Sequence, residues 1–215
     1  MFLGHFGVAL AAKKTAPKTS LGTLVLAAQL ADLLWPIFLL LGWEQVRIAP
    51  GITRVTPLDF VSYPWSHSLT AEIALGLALG LVYFAIRRDS RGAIVAAACV
   101  PTHWLLDYIS HRPDMPLVPG GPRYGLGLWN SLPATLIAEL ALYAAGVAIY
   151  LSATRPKDRT GMFALWALLT FLPVVYFAST FGPPPPNEHA IAYMALGLWI
   201  LVPWAAWADR HRTAA

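Results

Sequence analysis

The segment WSHSLTAEIALGLALGLVYFAIR, residues 65–87, decides the fold, because no charged side chain lies between Glu72 and Arg87. An α-helix of about 20 mainly apolar residues crosses the hydrocarbon core of a bilayer. Further apolar runs of similar length lie near residues 21–43, 92–111, 131–153, 161–181 and 189–208. We therefore predict an all-α fold, a polytopic transmembrane helix bundle of about six spanning helices.

The overall composition supports this prediction. Hydrophobic residues make up 57% of the 215 residues and charged residues only 12%, whereas soluble domains carry about 25% charged residues. The length suits one integral-membrane domain over residues 1–215, with no separate soluble domain. The segment 2–12 is too short to span alone, so we expect a half-helix entering from one side or an interfacial helix. The single cysteine, Cys99, excludes a disulfide framework.

The basic residues sort by the side of the membrane on which they fall. Alternating passage of the predicted spans places most of the 15 Lys and Arg residues on one side. These are Lys13, Lys14, Lys18, Arg87, Arg88, Arg91, Arg155, Lys157, Arg159, Arg210 and Arg212. Because cytoplasmic loops are enriched in Lys and Arg, this side and the C-terminal residues are predicted to be cytoplasmic. The net charge of +4 is thus explained by orientation, and we expect no nucleic-acid partner.

Several ionisable residues interrupt the apolar runs, and they define the candidate site. They are Asp32, His67, Glu72, His103, Asp107 and Glu139. A charge at membrane depth costs several kcal/mol unless it is paired, metal-bound or functional. Counting along each predicted helix places all of them between the midplane and the outer face of the membrane. We therefore expect them to share a function near that face.

The spacing of these residues points to metal binding. His103, Asp107 and His111 are four residues apart, so they share one helix face. His67 lies at the start of the preceding predicted span, and Asp32 lies within the span before that one. Imidazole and carboxylate suit Zn²⁺, with Mn²⁺ and Fe²⁺ as alternatives. Without cysteine ligands a closed structural zinc site is disfavoured, so we expect an open site that activates water.

The remaining residues receive accessory roles, and each has a simpler alternative. Ser66 is predicted to cap the helix that begins near His67, with Ser68 beside it. Asp32 or Glu72 could act as the general base, although Glu72 lies about 140° round the helix from His67. His111 and Glu139 are assigned as accessory residues. The alternatives are a His103–Asp107 hydrogen bond that only ties helices together, and a His111 that is an ordinary surface histidine.

Four short motifs follow one another along the first half of the chain. They are Gly4-His5-Phe6, Ala31-Asp32, Ser66-His67-Ser68 and His103-Trp104-Leu105-Leu106-Asp107. In order and rough spacing they resemble the membrane-bound metal-dependent hydrolases, the YdjM-like proteins of the bacterial inner membrane. The His-x-x-x-Asp motif is also similar to that of zinc-dependent phospholipases C. The resemblance implies a hydrolytic metal centre with ligands drawn from His5, Asp32, His67, His103 and Asp107.

The chain departs from that family pattern at two places. The family carries two acids close together in the second segment, whereas here only Asp32 is present. Tyr63-Pro64-Trp65 replaces the usual Arg-Gly, and Ser66 replaces Thr. The missing acid argues against a two-metal site.

The same buried residues are compatible with three functions. The first is a metal-dependent hydrolase that acts on a lipid or lipid-linked phosphoester or ester arriving sideways near the periplasmic face. The second is an ion or metal transporter, which the lack of polar residues in the inner half of the membrane disfavours. The third is a structural subunit of a membrane complex. Gly76 and Gly80 form a GxxxG pattern that packs helices either within the bundle or between chains, so oligomerisation remains open.

Overall fold

The computed structural model describes residues 1–215, and most of them are helical. The helices are α1 Leu3–Thr15, α2 Leu21–Ala28, α3 Leu30–Leu40, α4 Leu69–Arg87, α5 Ser90–Ser110, α6 Leu132–Ala153, α7 Arg159–Phe181, α8 Glu188–Leu196 and α9 Leu201–Arg210. Five of the predicted spans are long and apolar enough to cross a membrane, namely α4, α5, α6, α7 and the continuous α8–α9. The bent pair α2–α3 makes a sixth if it is counted as one span. The prediction of an all-α helical bundle is confirmed.

The first predicted span, 21–43, is broken. Helices α2 and α3 meet at Gln29 with a bend of 57°. The expectation of one uninterrupted helix was therefore wrong. The end of a helix leaves carbonyl groups without helical partners, and the Ala28 carbonyl accepts a hydrogen bond from His103. The bend also places Asp32 in the first turn of α3.

Helix α4 begins later than predicted. Its first residue is Leu69, and Ser68 caps it by accepting a hydrogen bond from the Ala71 backbone N–H at 3.3 Å. The prediction that Ser66 is the cap was therefore wrong. Residues Ser66 and His67 instead belong to the loop that leads into α4, which leaves both side chains free for other contacts.

Helix α1 is a buried half-helix packed along α6, so the interfacial alternative does not apply. Glycines allow the close approach: a Cβ added at Gly146 would lie 2.3 Å from the Gly7 carbonyl oxygen. Gly76 and Gly80 allow the same close approach between α4 and α5. A Cβ added at Gly76 would lie 2.5 Å from the Ala97 carbonyl oxygen, and one added at Gly80 would lie 2.9 Å from the Ala97 side chain. The GxxxG pattern thus packs helices within the bundle.

Short strands order the loops. The loops α3–α4 and α5–α6 hold the antiparallel pairs β1–β2 and β3–β4, and a third pair, β5–β6, joins the end of α6 to the C-terminal residues. The strands are β1 Gln45–Ile48, β2 Leu58–Ser62, β3 Met115–Pro116, β4 Arg123–Tyr124, β5 Thr154–Pro156 and β6 Arg212–Ala214. None of them was predicted. The first pair leaves Glu44 and Tyr63 at its open end, close to the candidate site.

Candidate metal centre

Side chains from three parts of the chain converge on one point. His67 Nε2 lies 3.4 Å from Asp32 Oδ1, which joins the loop before α4 to α3. His103 Nε2, on α5, is 3.7 Å from the same Asp32 oxygen. It is also 3.4 Å from Asp107 Oδ2, one turn further along α5. We call these four residues, Asp32, His67, His103 and Asp107, the central cluster.

The outward-facing nitrogens of the two histidines are hydrogen-bond donors. His103 Nδ1 lies 2.9 Å from the Ala28 carbonyl oxygen, which can only accept, so His103 carries a proton on Nδ1. The Ser66 hydroxyl donates to Glu44 at 2.6 Å, so Ser66 Oγ accepts a hydrogen bond of 2.6 Å from His67 Nδ1. In neutral imidazoles the Nε2 lone pairs therefore point toward the carboxylates of the central cluster.

This arrangement fits a divalent metal ion. Lone pairs that face carboxylate oxygens repel them unless a proton or a metal ion lies between, and His103 Nε2 is buried without a hydrogen-bond partner. A tetrahedral ion with bonds of about 2.1 Å holds its ligand atoms about 3.4 Å apart, close to the spacing of the central cluster. Ligand atoms of Asp32, His67 and His103 all lie near enough to one another to hold one ion.

His5 extends the central cluster on the side of α1. Its Nε2 is 3.1 Å from Asp107 Oδ1, and its ring stacks on that of His103 with centroids 3.7 Å apart. The Met1 amino group contacts the same Asp107 oxygen. Asp107 thus uses one oxygen toward α1 and the other toward the remaining histidines. His5, His103 and Asp107 form a second group that could hold an ion.

His111 lies beside the central cluster and is fully enclosed. Its Nε2 is 3.5 Å from Asp107 Oδ2, and its Nδ1 is 2.9 Å from Asp114 Oδ1. Tyr63 donates a hydrogen bond of 2.9 Å to the same Asp114 oxygen. Burial and the neighbouring Asp114 carboxylate raise the pKa of Tyr63 well above its usual value, so its hydroxyl remains a donor. The Trp129 ring covers His111 at a centroid distance of 4.1 Å, so His111 is no ordinary surface histidine.

A cavity of about 640 Å³ opens beside the central cluster, within the range of about 300–1,000 Å³ that is typical of ligand pockets. The residues at its polar end are Asp32, His67, Asp107, His111 and Glu139. The Asp32 side chain is 25% exposed, whereas that of Asp107, the other carboxylate of the central cluster, is 4% exposed. Asp32 is therefore the carboxylate of the central cluster that is most accessible from the cavity.

The two predicted glutamates lie outside the central cluster. Glu72 is fully buried between α4 and α5, where it accepts a hydrogen bond of 3.0 Å from the Trp104 backbone N–H. Glu139 accepts hydrogen bonds from the backbone N–H groups of Phe2 and Gly4, both at 2.8 Å. A carboxylate at this place offsets the unpaired N–H groups and the dipole at the start of α1. Glu139 lines the cavity and Glu72 does not.

Two acids that support the histidines were missed from the sequence. Glu44 orients His67 through Ser66, and Asp114 orients His111 directly. Both lie in loops. Glu44 is distant in sequence from Ser66, so no spacing connects the two residues. Asp114 follows His111 by three residues, and that proximity is the signal that could have identified it.

No family model matches the chain, and no curated protein or solved structure matches it. The resemblance to the membrane-bound metal-dependent hydrolases therefore stays a prediction that rests on the order of four short motifs. Function has to be argued from the chemistry of the site itself.

Proposed function

We propose that the protein is a membrane-bound, metal-dependent hydrolase whose centre lies in the outer half of the bilayer. The observation that carries this proposal is the shared orientation of His67 and His103. Both imidazoles donate Nδ1–H to an acceptor outside the cluster and turn Nε2 toward Asp32 and Asp107. Partners of this kind behind a histidine are typical of metal ligands.

Hydrolysis would assign separate tasks to these residues. A bound divalent ion would lower the pKa of water and polarise a phosphoryl or carbonyl oxygen of the substrate. His67, His103 and Asp32 Oδ1 would bind the ion, with Asp107 and His5 on the α1 side. Because Asp32 Oδ1 faces the histidines, Oδ2 would be left to accept a proton at the cavity. The oxygen of water would join phosphorus or the acyl carbon, the bond to the leaving oxygen would break, and that oxygen would receive a proton.

The proposal assigns the general base to Asp32 alone. Glu72 was the other candidate, but its Oε2 accepts the Trp104 N–H and the residue has no surface on the large cavity. A buried carboxylate that already accepts a backbone hydrogen bond is a packing partner of α5. We therefore expect Glu72 to affect folding more than turnover.

The proposed location is the inner membrane of a bacterium, with the basic loops in the cytoplasm. The support is the concentration of Lys and Arg on the side opposite the central cluster. A proton or metal path through the membrane finds less support. Below His5, the buried residues Phe6, Ala9 and Leu10 of α1 are apolar as far as Lys13, about 12 Å further along the helix.

Metal content and hydrolysis test the proposal together. Protein purified without chelators should contain bound Zn, Mn or Fe and should cleave a soluble nitrophenyl phosphate diester. The Asp32→Asn substitution preserves the size of the side chain and should lower turnover by about 100-fold or more. The His103→Ala variant should lose the metal. His189→Ala, at an exposed histidine on α8, is the matched control and should retain both. A wild-type protein that holds no metal, even after reconstitution with each ion, would leave only the structural role.

A further inference from the structure

The large cavity is lined by two chemically different sets of residues. One set is the acids and histidines beside the central cluster. The other set consists of apolar side chains on α7 and α8, namely Val175, Ile191 and Met194, and we call their part of the cavity the apolar end. A small hydrophilic substrate would need only the first set. The apolar end has the chemistry to accept a hydrocarbon chain.

The apolar end lies between helices that separate toward the outer face. Helix α7 packs along α9, whereas α8 packs on α3 and β1. Since α8 and α9 continue one another, α7 and α8 diverge as they approach the loop that joins them. Met194, at this gap, is 67% exposed and also lines the cavity. Because α7 and α8–α9 are both long and apolar enough to cross a membrane, lipid would surround this gap in a bilayer.

Loops close the cavity above the gap. Residues Val55–Leu58, which lead into β2, and residues Pro183–Pro186, between α7 and α8, both line it. A run of prolines is a stiff extended connection that cannot form a helix, so it spans the gap without filling it. Thr56 and Thr180 lie at this upper edge and provide hydroxyl groups where a head group would meet water.

We infer that the substrate is a membrane amphiphile with an ester or phosphoester bond next to a hydrocarbon chain. It enters sideways from the outer leaflet between α7 and α8. The chain lies along Val175, Ile191 and Met194, and the bond that breaks sits beside Asp32 and His67. This inference rests on the proposed hydrolase function and specifies its substrate class. Water supplies the oxygen and the proton of the reaction, so no further reactant is needed.

Transfer of a chain from lipid into an apolar cavity removes little surface from water, so the hydrophobic effect alone gives weak binding. The benefit of the cavity is orientation, because a chain held on one side fixes the position of the scissile bond. Turnover should therefore depend on the shape of the apolar end more strongly than binding does.

Neighbouring residues of α7 provide a matched pair of variants. Val175 lines the cavity, whereas Val174 is 64% exposed and points away from it. Val175→Trp should fill the apolar end without touching the central cluster, and Val174→Trp should add the same bulk on the outer surface. The substrates are nitrophenyl phosphate diesters carrying either a methyl or a hexadecyl group, assayed with the metal-loaded protein in nanodiscs.

We expect Val175→Trp to lower hydrolysis of the hexadecyl diester by about tenfold or more, because the scissile bond is displaced. Hydrolysis of the methyl diester should stay near the wild-type rate, and Val174→Trp should behave like the wild type with both substrates. Equal effects of the two variants, or equal effects on both substrates, would overturn the inference.

A second readout does not depend on catalysis. Hexadecyl phosphate with a diazirine at the chain end should label Val175 or Ile191 on irradiation, with and without metal. Labelling confined to outward-facing residues such as Val174 and Ile200 would contradict the chain site. If the cavity is labelled but the protein never hydrolyses a diester, the hydrolase function is contradicted and the cavity only binds lipid.

Discussion

Glu44 shows how a single residue behind the central cluster governs a ligand within it. Its carboxylate accepts hydrogen bonds from the backbone N–H groups of Trp65 and Ser66, both at 2.8 Å, and from the Ser66 hydroxyl at 2.6 Å. Ser66 is thereby fixed as the acceptor for His67 Nδ1. The tautomer of His67, and so its ability to bind metal through Nε2, follows from this chain of contacts.

Replacing Ser66 tests that chain of contacts. Ser66→Ala should lower metal affinity by about 10–100-fold, because His67 loses the acceptor that fixes its tautomer. Competition with a metal-binding dye measures the affinity. Ser152→Ala, at an exposed serine whose hydroxyl contacts only the Ile149 carbonyl, is the control and should leave the affinity unchanged. Equal affinities in the two variants would mean that Ser66 does not orient His67.

The ligand residues could be predicted because charge inside an apolar run is costly. Asp32, His103 and Asp107 each interrupt a predicted span, and the last two share a helix face by spacing alone. The supporting contacts were not predictable in the same way. Glu44 reaches Ser66 through the fold of a loop, for which neither apolar length nor helical period gives any rule. Asp114 is three residues from His111, but the sequence alone does not show that the intervening turn brings the two side chains together.

At the scale of elements, apolar length was enough to locate the spanning helices, but it did not reveal the break between α2 and α3. The break at Gln29 does not coincide with a helix-breaking Gly or Pro, because Pro36 lies more than one helical turn further along α3. The bend instead accompanies packing: an added Cβ at Gly22 would lie 2.6 Å from the Val202 carbonyl oxygen, so α2 is held against α9. Contacts between distant parts of the chain decide such a bend, and one sequence does not display them.

The contact between α1 and α6 gives a prediction at this scale. Gly146→Ala should lower the melting temperature and cost about 1–3 kcal/mol of stability, because its Cβ would overlap the Gly7 backbone and push α1 away. Since α1 carries His5, metal affinity should fall as well. Gly197→Ala is the control, because an added Cβ there meets nothing within 4 Å. Thermal unfolding in detergent compares the two, and identical melting curves would show that α1 is not held by this contact.

At the scale of the whole molecule, the two ends of the bundle differ in chemistry. One end holds the central cluster and the cavity. The opposite end is closed by a buried ion pair of 2.6 Å between Lys13 and Asp209, and Asp209 also accepts a hydrogen bond of 2.7 Å from Tyr150. Lys13 was predicted to lie in a cytoplasmic loop, and its burial was missed because its partner lies at the far end of the chain. This ion pair joins α1 to α9.

Orientation in the membrane is testable with two single-cysteine variants. In a Cys99→Ser background, Val118→Cys lies in a loop predicted to be periplasmic and Lys157→Cys in a loop predicted to be cytoplasmic, and both positions are exposed. A membrane-impermeant maleimide applied to intact cells should label only the first, because Lys and Arg are retained on the cytoplasmic side. Both should react in detergent, which shows that each is reachable. Labelling of Lys157→Cys alone in intact cells would reverse the proposed orientation.

The central claim is that imidazoles and carboxylates from separate helices share one divalent ion. X-ray absorption at the edge of the bound metal tests it most directly. We expect a first shell of nitrogen and oxygen at about 2.0–2.2 Å with outer-shell scattering from imidazole rings, and weaker imidazole scattering in any His67→Ala protein that still retains metal. A first shell that contains sulfur, or one without imidazole scattering, would contradict the claim.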